Sequence, residues 1–325
     1  MVKKRQLVPL DGKWKIAFDP DNEGKAKKWF GKRAAVKAAA INVPSVWNLA
    51  RPGYTGVAWY FKDFRARTEW RNRAVRLKIG AANYYSEIWL NGRRVGCHEG
   101  GYTPFTFDIS RYLVFGGANR LVVRVVDPPK DKKVDGFIKK NGRENNSEIP
   151  CSKEWWGYYD FGGIWQSVEL IITEKEYIQD CFVIGGLKGR LEAELTIVAA
   201  SASHQAEARF FIRPKGRSSA PALVSKINIR LDKGVNRLKT SCNVSGARLW
   251  SPESPNLYSL IIELHSQGRL VDAFETTFGF REFDVTGRNC YLNGRKIILK
   301  GILMQPHYPK TLVYPINEDL ARREI

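Results

Sequence analysis

Apolar residues in this chain recur at every second position, in short runs separated by turn formers. Val75-Arg76-Leu77-Lys78-Ile79 alternates apolar with basic, the pattern of a strand with one buried and one wet face. Ile88-Trp89-Leu90 runs into Asn91-Gly92 and then Arg93-Arg94-Val95. Asn-Gly between apolar runs predicts a tight hairpin, because both turn residues must take positive φ. Further strands are expected at 105–109, 121–125 and 168–172, and no long helical period interrupts them. Many short strands with little helix predict a mainly β chain that opens with a β-sandwich or jelly roll.

A second β-rich stretch follows Lys175, with its clearest strands at 191–198, 208–212, 227–231 and 257–264. The polar segment 213–221 carries Pro, Gly and Ser and reads as a loop within it. Strands at this spacing suit an immunoglobulin-like sandwich, but no cysteine pair flanks a tryptophan as in antibody domains. From Asp284 the character changes again. Cys290-Tyr291-Leu292 and Lys296-Ile297-Ile298-Leu299 flank an Asn293-Gly294 turn, and Lys300-Gly301-Ile302-Leu303-Met304 continues an apolar run typical of strands buried on both faces. Asn317 then stands as an N-cap ahead of Glu318 and Asp319, so a helix is expected to open there. The expected division is a jelly roll at 1–176, an immunoglobulin-like sandwich at 177–283, and a strand-loop-helix unit at 284–325. That last unit is far short of the roughly 250 residues of a (β/α)₈ barrel.

A 325-residue chain that is 43% apolar and 12% aromatic can bury more than one core, which excludes intrinsic disorder. No apolar run is long enough to span a bilayer, so no membrane association is expected. The basic start is followed by polar Asp11-Gly12-Lys13, which does not read as a secretory signal. Cys97, Cys151, Cys181, Cys242 and Cys290 form no CxxC pair. An odd, scattered set reads as reduced thiols in a cytoplasmic protein. Ligand types cluster only at Cys97-His98-Glu99, where neighbouring strand residues point to opposite faces and converge poorly on one ion, so no metal site is expected.

The formal charge is +20, and it is spread along the chain: residues 1–176 hold 32 basic against 19 acidic side chains, and residues 177–325 hold 21 against 14. Local basic runs occur at 25–33, 65–78 and 130–143. They read either as a surface that follows an anionic polymer or as solubilising charge on strand edges. No nucleic-acid reading motif accompanies them, so weak, salt-sensitive adhesion to polyanions is expected and specific nucleic-acid binding is not.

Four stretches together carry a family likeness. They are Val43-Pro44-Ser45-Val46-Trp47 with Tyr54-Thr55-Gly56-Val57-Ala58-Trp59-Tyr60; Ile88-Trp89-Leu90-Asn91-Gly92 with Gly100-Gly101-Tyr102-Thr103-Pro104-Phe105; Gly162-Gly163-Ile164-Trp165-Gln166-Ser167-Val168; and Leu249-Trp250-Ser251-Pro252 through Tyr258 with Gly279-Phe280-Arg281. In this order they resemble the N-terminal half of glycoside hydrolase family 2, the β-galactosidase, β-glucuronidase and β-mannosidase group. Leu292-Asn293-Gly294 to Lys300-Gly301 resembles the entrance of that family's barrel.

The resemblance implies a retaining glycosidase that needs no cofactor and uses two barrel glutamates roughly 5 Å apart. In the family these come from middle and late barrel strands, so no catalytic residue is expected in this chain. Glu318 and Glu324 lie on an outer helix and are not candidates. A family jelly-roll loop offers a carboxylate to the sugar, and the closest segment here is Trp155-Trp156-Gly157-Tyr158-Tyr159-Asp160. Asp160 is the acid to accept sugar hydroxyls. Trp156 and Tyr158, with their aromatic neighbours, form either a stacking wall for a sugar or part of the core. Gln305 and His307 follow the first barrel strand, where many relatives carry Arg-His-Glu, and are candidate substrate contacts. Arg281 is expected to tie the sandwich to the barrel.

Three functions follow as expectations. The first is the non-catalytic part of an exo-β-glycosidase, partnered by carbohydrate and by either a barrel segment or a second copy. The others are a self-sufficient carbohydrate-binding protein and a basic polyanion-binding module. The apolar run 297–303 separates the first two, because a self-sufficient lectin has no use for it.

Overall fold

The computed structural model describes residues 5–127, 161–200, 204–216, 220–303, 308–314 and 318–324. The chain divides into two compact units, one built on Leu7–Ile172 and the other on Thr173–Ile302. The architecture is mainly β.

The first unit contains β1 (Gln6–Pro9), β2 (Gly12–Phe18), β3 (Ala39–Val43), β4 (Gly56–Arg65), β5 (Ala74–Ile79) and β6 (Ala82–Asn83). It continues with β7 (Tyr85–Leu90), β8 (Arg93–Glu99), β9 (Phe105–Asp108), β10 (Ala118–Asp127), β11 (Gly163–Ile164) and β12 (Val168–Thr173). A four-stranded sheet, β1-β12-β5-β9, faces a six-stranded sheet, β3-β2-β4-β10-β7-β8, and a short β11-β6 ladder lies beside them. Trp14, Trp47, Tyr60, Leu77, Ile88 and Val123 belong to the core cluster of this unit.

The six-stranded sheet is also covered on its other face. Trp59, Phe61, Trp89, Val122 and Val126 form a second buried cluster against which Trp29, Phe30 and Val36 pack. This explains why β7 is buried at every position, Ser86 and Glu87 included. Asp19, 2% exposed, anchors the covering excursion. Its carboxylate accepts from Glu23 N–H, Gly24 N–H and Trp59 Nε1–H at 2.8–2.9 Å. The one-wet-face expectation for residues 75–79 fails at Arg76, which is only 5% exposed.

Both Asn-Gly turns form as expected. Asn91 and Gly92 have φ of 54° and 82°, and Asn293 and Gly294 have 53° and 75°. Asn91 also braces its surroundings, donating to Tyr112 O and Asn119 Oδ1 and accepting from Arg120 N–H.

The second unit contains β13 (Tyr177–Gly185), β14 (Arg190–Ala199), β15 (His204–Pro214), β16 (Ala222–Leu231), β17 (Gly234–Asn243), β18 (Tyr258–Ser266) and β19 (Arg269–Phe278). Sheets β13-β14-β17 and β16-β15-β18-β19 form its two layers, and Leu195, Ile197, Phe210, Leu260 and Ile262 lie in its core. The expected loop at 213–221 begins later than its composition suggests, because β15 runs through Pro214. Arg5 forks onto Asp272, whose Oδ2 also accepts from Ile178 N–H at 2.8 Å.

Beyond the sandwich, β20 (Phe283–Thr286), β21 (Asn289–Leu292) and β22 (Arg295–Ile297) form a small meander. The buried strand expected through residue 303 is not formed. β22 ends at Ile297, while Ile298, Leu299, Ile302 and Leu303 are 77%, 66%, 88% and 82% exposed. A strand buried on both faces requires neighbouring strands, and among the described residues none pairs with this run. A short helix, α1 (Glu318–Glu324), follows, and Asn317, its expected N-cap, lies outside the described residues.

Candidate functional site

Asp160, Trp156, Tyr158, Gln305 and His307 lie outside the described residues, as do Trp155 and Tyr159. What the structure describes is the segment that begins at Phe161, and it is held by the family-like stretches.

The Val43–Trp47 stretch and the Gly162–Ile164 stretch lock together through backbone. Ser45 N–H donates to Ile164 O and Trp47 N–H to Gly162 O, each at 2.9 Å. Asn48 closes the knot, because its Oδ1 accepts from Gly162 N–H at 2.9 Å while its amide and Trp47 Nε1 donate to Tyr54 O. Both glycines are required by space. A Cβ on Gly162 would lie 2.1 Å from Trp47 Cζ2, and one on Gly163 (φ +114°) would lie 2.5 Å from the Tyr60 hydroxyl. Burial pushes the Tyr54 phenol up to about 12 and raises that of Tyr60, so both stay protonated.

A second tie joins the same region to the Gly100-Gly101-Tyr102 turn. Asn83, 3% exposed, donates its amide to Phe161 O, and Trp165 Nε1 donates to Gly101 O at 2.7 Å. A Cβ on Gly101 would lie 2.1 Å from Asn83 Oδ1, so glycine lets the turn lie directly on that amide. Tyr102 stands above this tie, 52% exposed, edge-on to Trp165 at 5.4 Å and to Phe161 at 6.1 Å. Sequence reasoning quoted Tyr102 and Trp165 as motif residues without proposing them as site residues. Their signal was an aromatic shortly after each Gly-Gly pair, adjacent at Tyr102 and two residues on at Trp165.

Cys97-His98-Glu99 is spread along β8 as alternation requires. His98 stacks on Phe105 at 4.2 Å, with Thr103 Oγ1 3.3 Å from Nε2, while Glu99 accepts from Tyr84 OH at 3.1 Å. Desolvation lowers the His98 pKa and favours neutral imidazole. Arg281 lays its guanidinium 4.9 Å over the Trp250 ring, and Trp250 O accepts from the Asn293 amide. The Glu207 carboxyl is lowered chiefly by Lys226 and Arg209, and that of Glu253 by its own backbone N–H and Ser251.

Residues 7–173 match the family description "Glycosyl hydrolases family 2, sugar binding domain", and residues 176–281 match "Glycosyl hydrolases family 2". A β-glucuronidase of Paenibacillus borealis is 28% identical over 91% of this chain and 49% of its own length. A β-galactosidase of Priestia megaterium is 24% identical over 90% of this chain and 30% of its own. The chain thus spans about half or less of these relatives. The crystal structure of Bacteroides uniformis β-glucuronidase superposes with a TM-score of 0.79 at 22% identity, covering 99% of this chain and 38% of that one. The apo β-glucuronidase of Ruminococcus gnavus gives 0.72 at 25% identity over 93% of this chain and 50% of that one.

Proposed function

The chain belongs to glycosyl hydrolase family 2, and from that premise we propose that it is the non-catalytic β portion of a retaining exo-β-glycosidase. In this reading the acid/base and nucleophile glutamates lie outside the 325 residues, and the chain helps to shape the sugar site. The observation that carries the reading is the double tie at Phe161–Trp165, which gives a rigid departure point for the segment ending at Asp160. Asp160 then accepts hydrogen bonds from sugar hydroxyls, Trp156 and Tyr158 stack on the sugar face, and Gln305 and His307 are further substrate contacts. The exposed run from Ile298 to Leu303 favours this reading over a self-sufficient lectin, because it is apolar surface suited to joining further sheet.

The test is to incubate the purified chain with nitrophenyl β-glucuronide, β-galactoside and β-mannoside. No nitrophenol release is expected. Turnover that survives purification and disappears on Asp160→Ala would place a catalytic carboxylate in the jelly roll and overturn the proposal.

A further inference from the structure

One end of the first unit gathers cations that the glycosidase reading leaves unused. The Asn91-Gly92 turn brings Arg93 beside Arg111, with Arg93 Nη1 donating to Arg111 O. Both guanidiniums lie 4.8 Å from the centroid of the Tyr112 ring, and Arg111 Nη2 donates to the Tyr112 hydroxyl at 2.7 Å. The same turn holds the backbone of Arg120 through Asn91, and the backbone of Lys32 lies against Gly92. Lys32, Arg93 and Arg111 are exposed, and Arg120 is half-buried over the Phe61 ring.

Of the carboxylates nearby, Glu87 and Asp108 are engaged elsewhere, and Asp63 shares a sheet face with Arg120 without pairing to it. Glu87 is taken by Arg124, Lys25 and Arg94, and Asp108 caps Ser110 N–H. Asp63 stands opposite Arg120 in the β4–β10 register and makes no ion pair with it. Among the described residues none of Lys32, Arg93, Arg111 and Arg120 has a carboxylate partner, so their charge is available to a ligand.

We propose that this end is a binding surface for an anionic polysaccharide, a glycan chain bearing carboxylate or sulfate groups. Arginine forks held against an aromatic ring are pre-oriented donors for planar or tetrahedral oxyanions. Nucleic acid is the weaker fit. Tyr112 is 7% exposed beneath its arginines and offers no face for base stacking, and the one helix among the described residues at this end, the single 3-10 turn Ser110–Tyr112, is too short to read a groove.

The experiment is calorimetric titration of the full chain with a heparin hexasaccharide, with maltohexaose as the neutral comparison and a 20-base-pair DNA duplex as the rival polyanion. R93Q/R111Q is expected to weaken hexasaccharide binding about tenfold. Lys233→Gln with Arg237→Gln, an exposed pair in the other unit, is expected to leave it within about twofold. Because Arg93 and Arg111 pack on Tyr112, K32Q supplies a second reading outside that stack, expected to fall in the same direction by a smaller factor. Equal losses for both double variants, no loss in K32Q with R93Q/R111Q unfolded, binding of maltohexaose as tight as heparin, or tighter binding of the duplex would each overturn the proposal.

Discussion

Arg124 Nη1 donates to Glu87 Oε2 across 2.7 Å, with the two side chains 0% and 5% exposed, at directly opposed positions of β10 and β7. Asn22 Oδ1 accepts from Arg124 Nη2 at 2.7 Å, and Lys25 reaches Glu87 at 2.9 Å. The pair therefore fastens the 19–38 excursion to the outer face of the six-stranded sheet. Removing one partner leaves a buried charge without its counter-ion, at a cost of about 3–5 kcal/mol, whereas replacing both with apolar residues costs much less. Glu87→Gln is expected to lower the urea midpoint more than the double variant Glu87→Leu/Arg124→Met. The reverse order would show that the pair is not acting as a unit.

Gly162→Ala is expected to destabilise the first unit by about 1–3 kcal/mol, since the new methyl must displace a fully buried Trp47. Near-ultraviolet circular dichroism from the tryptophans should weaken with it. A melt identical to the parent chain would mean that the knot yields without strain.

His98 supplies a pH signature. Its folded pKa lies below the ordinary value of 6.5, so as pH falls below 6.5 the unfolded chain takes up the proton first. The His98 contribution to stability is therefore intact above 6.5 and is lost as pH falls toward the folded pKa. His98→Asn should flatten the stability profile between pH 7 and 5 relative to the parent. An unchanged slope would assign the acid sensitivity to other groups.

Thiol reactivity should follow burial. Desolvation pushes Cys181 up to about 12 and raises Cys242, whereas Cys97 is exposed on β8. Iodoacetamide at pH 8 followed by peptide mass spectrometry should label Cys97 first and Cys181 last among these three. Labelling of Cys181 at the Cys97 rate would mean that the sandwich opens readily.

Local turn chemistry was legible because it is local. Asn91-Gly92 and Asn293-Gly294 take the positive φ that their hairpins demand, and a strand flanks each turn on either side, although β22 stops at Ile297. Arg124 was not legible as a buried group, since a lone cation in Leu121-Val122-Val123-Arg124-Val125 looks like a wet position. Its burial depends on Glu87, Lys25 and Asn22, which the fold brings in from distant segments. Residues 298–303 failed for a related reason: periodicity reports that a strand is apolar on both faces but not whether neighbours are present to cover it. For the candidate site, motif residues such as Trp47, Gly162 and Trp165 were legible as markers. That Tyr102 and Trp165 come together over Asn83 depends on two turns meeting across the unit.

The exposed run makes the last prediction. Ile298, Leu299, Ile302 and Leu303 lie within six residues and are 66–88% exposed, in a segment without strand pairing. Scattered apolar residues on a surface are ordinary, but four large ones in one short segment with open backbone groups favour contact with another chain. The purified chain is expected to self-associate in a concentration-dependent way, or to be captured by a separately supplied barrel segment. Sedimentation velocity over a range of concentrations reads the first outcome directly. Ile298→Lys with Ile302→Glu should return the chain to monomer without moving the melting transition of either sandwich, because neither side chain contributes to a core cluster. A chain that stays monomeric at high concentration and ignores a supplied barrel segment would show that this run is not an assembly surface. Self-association that persists in the double variant would move the interface elsewhere.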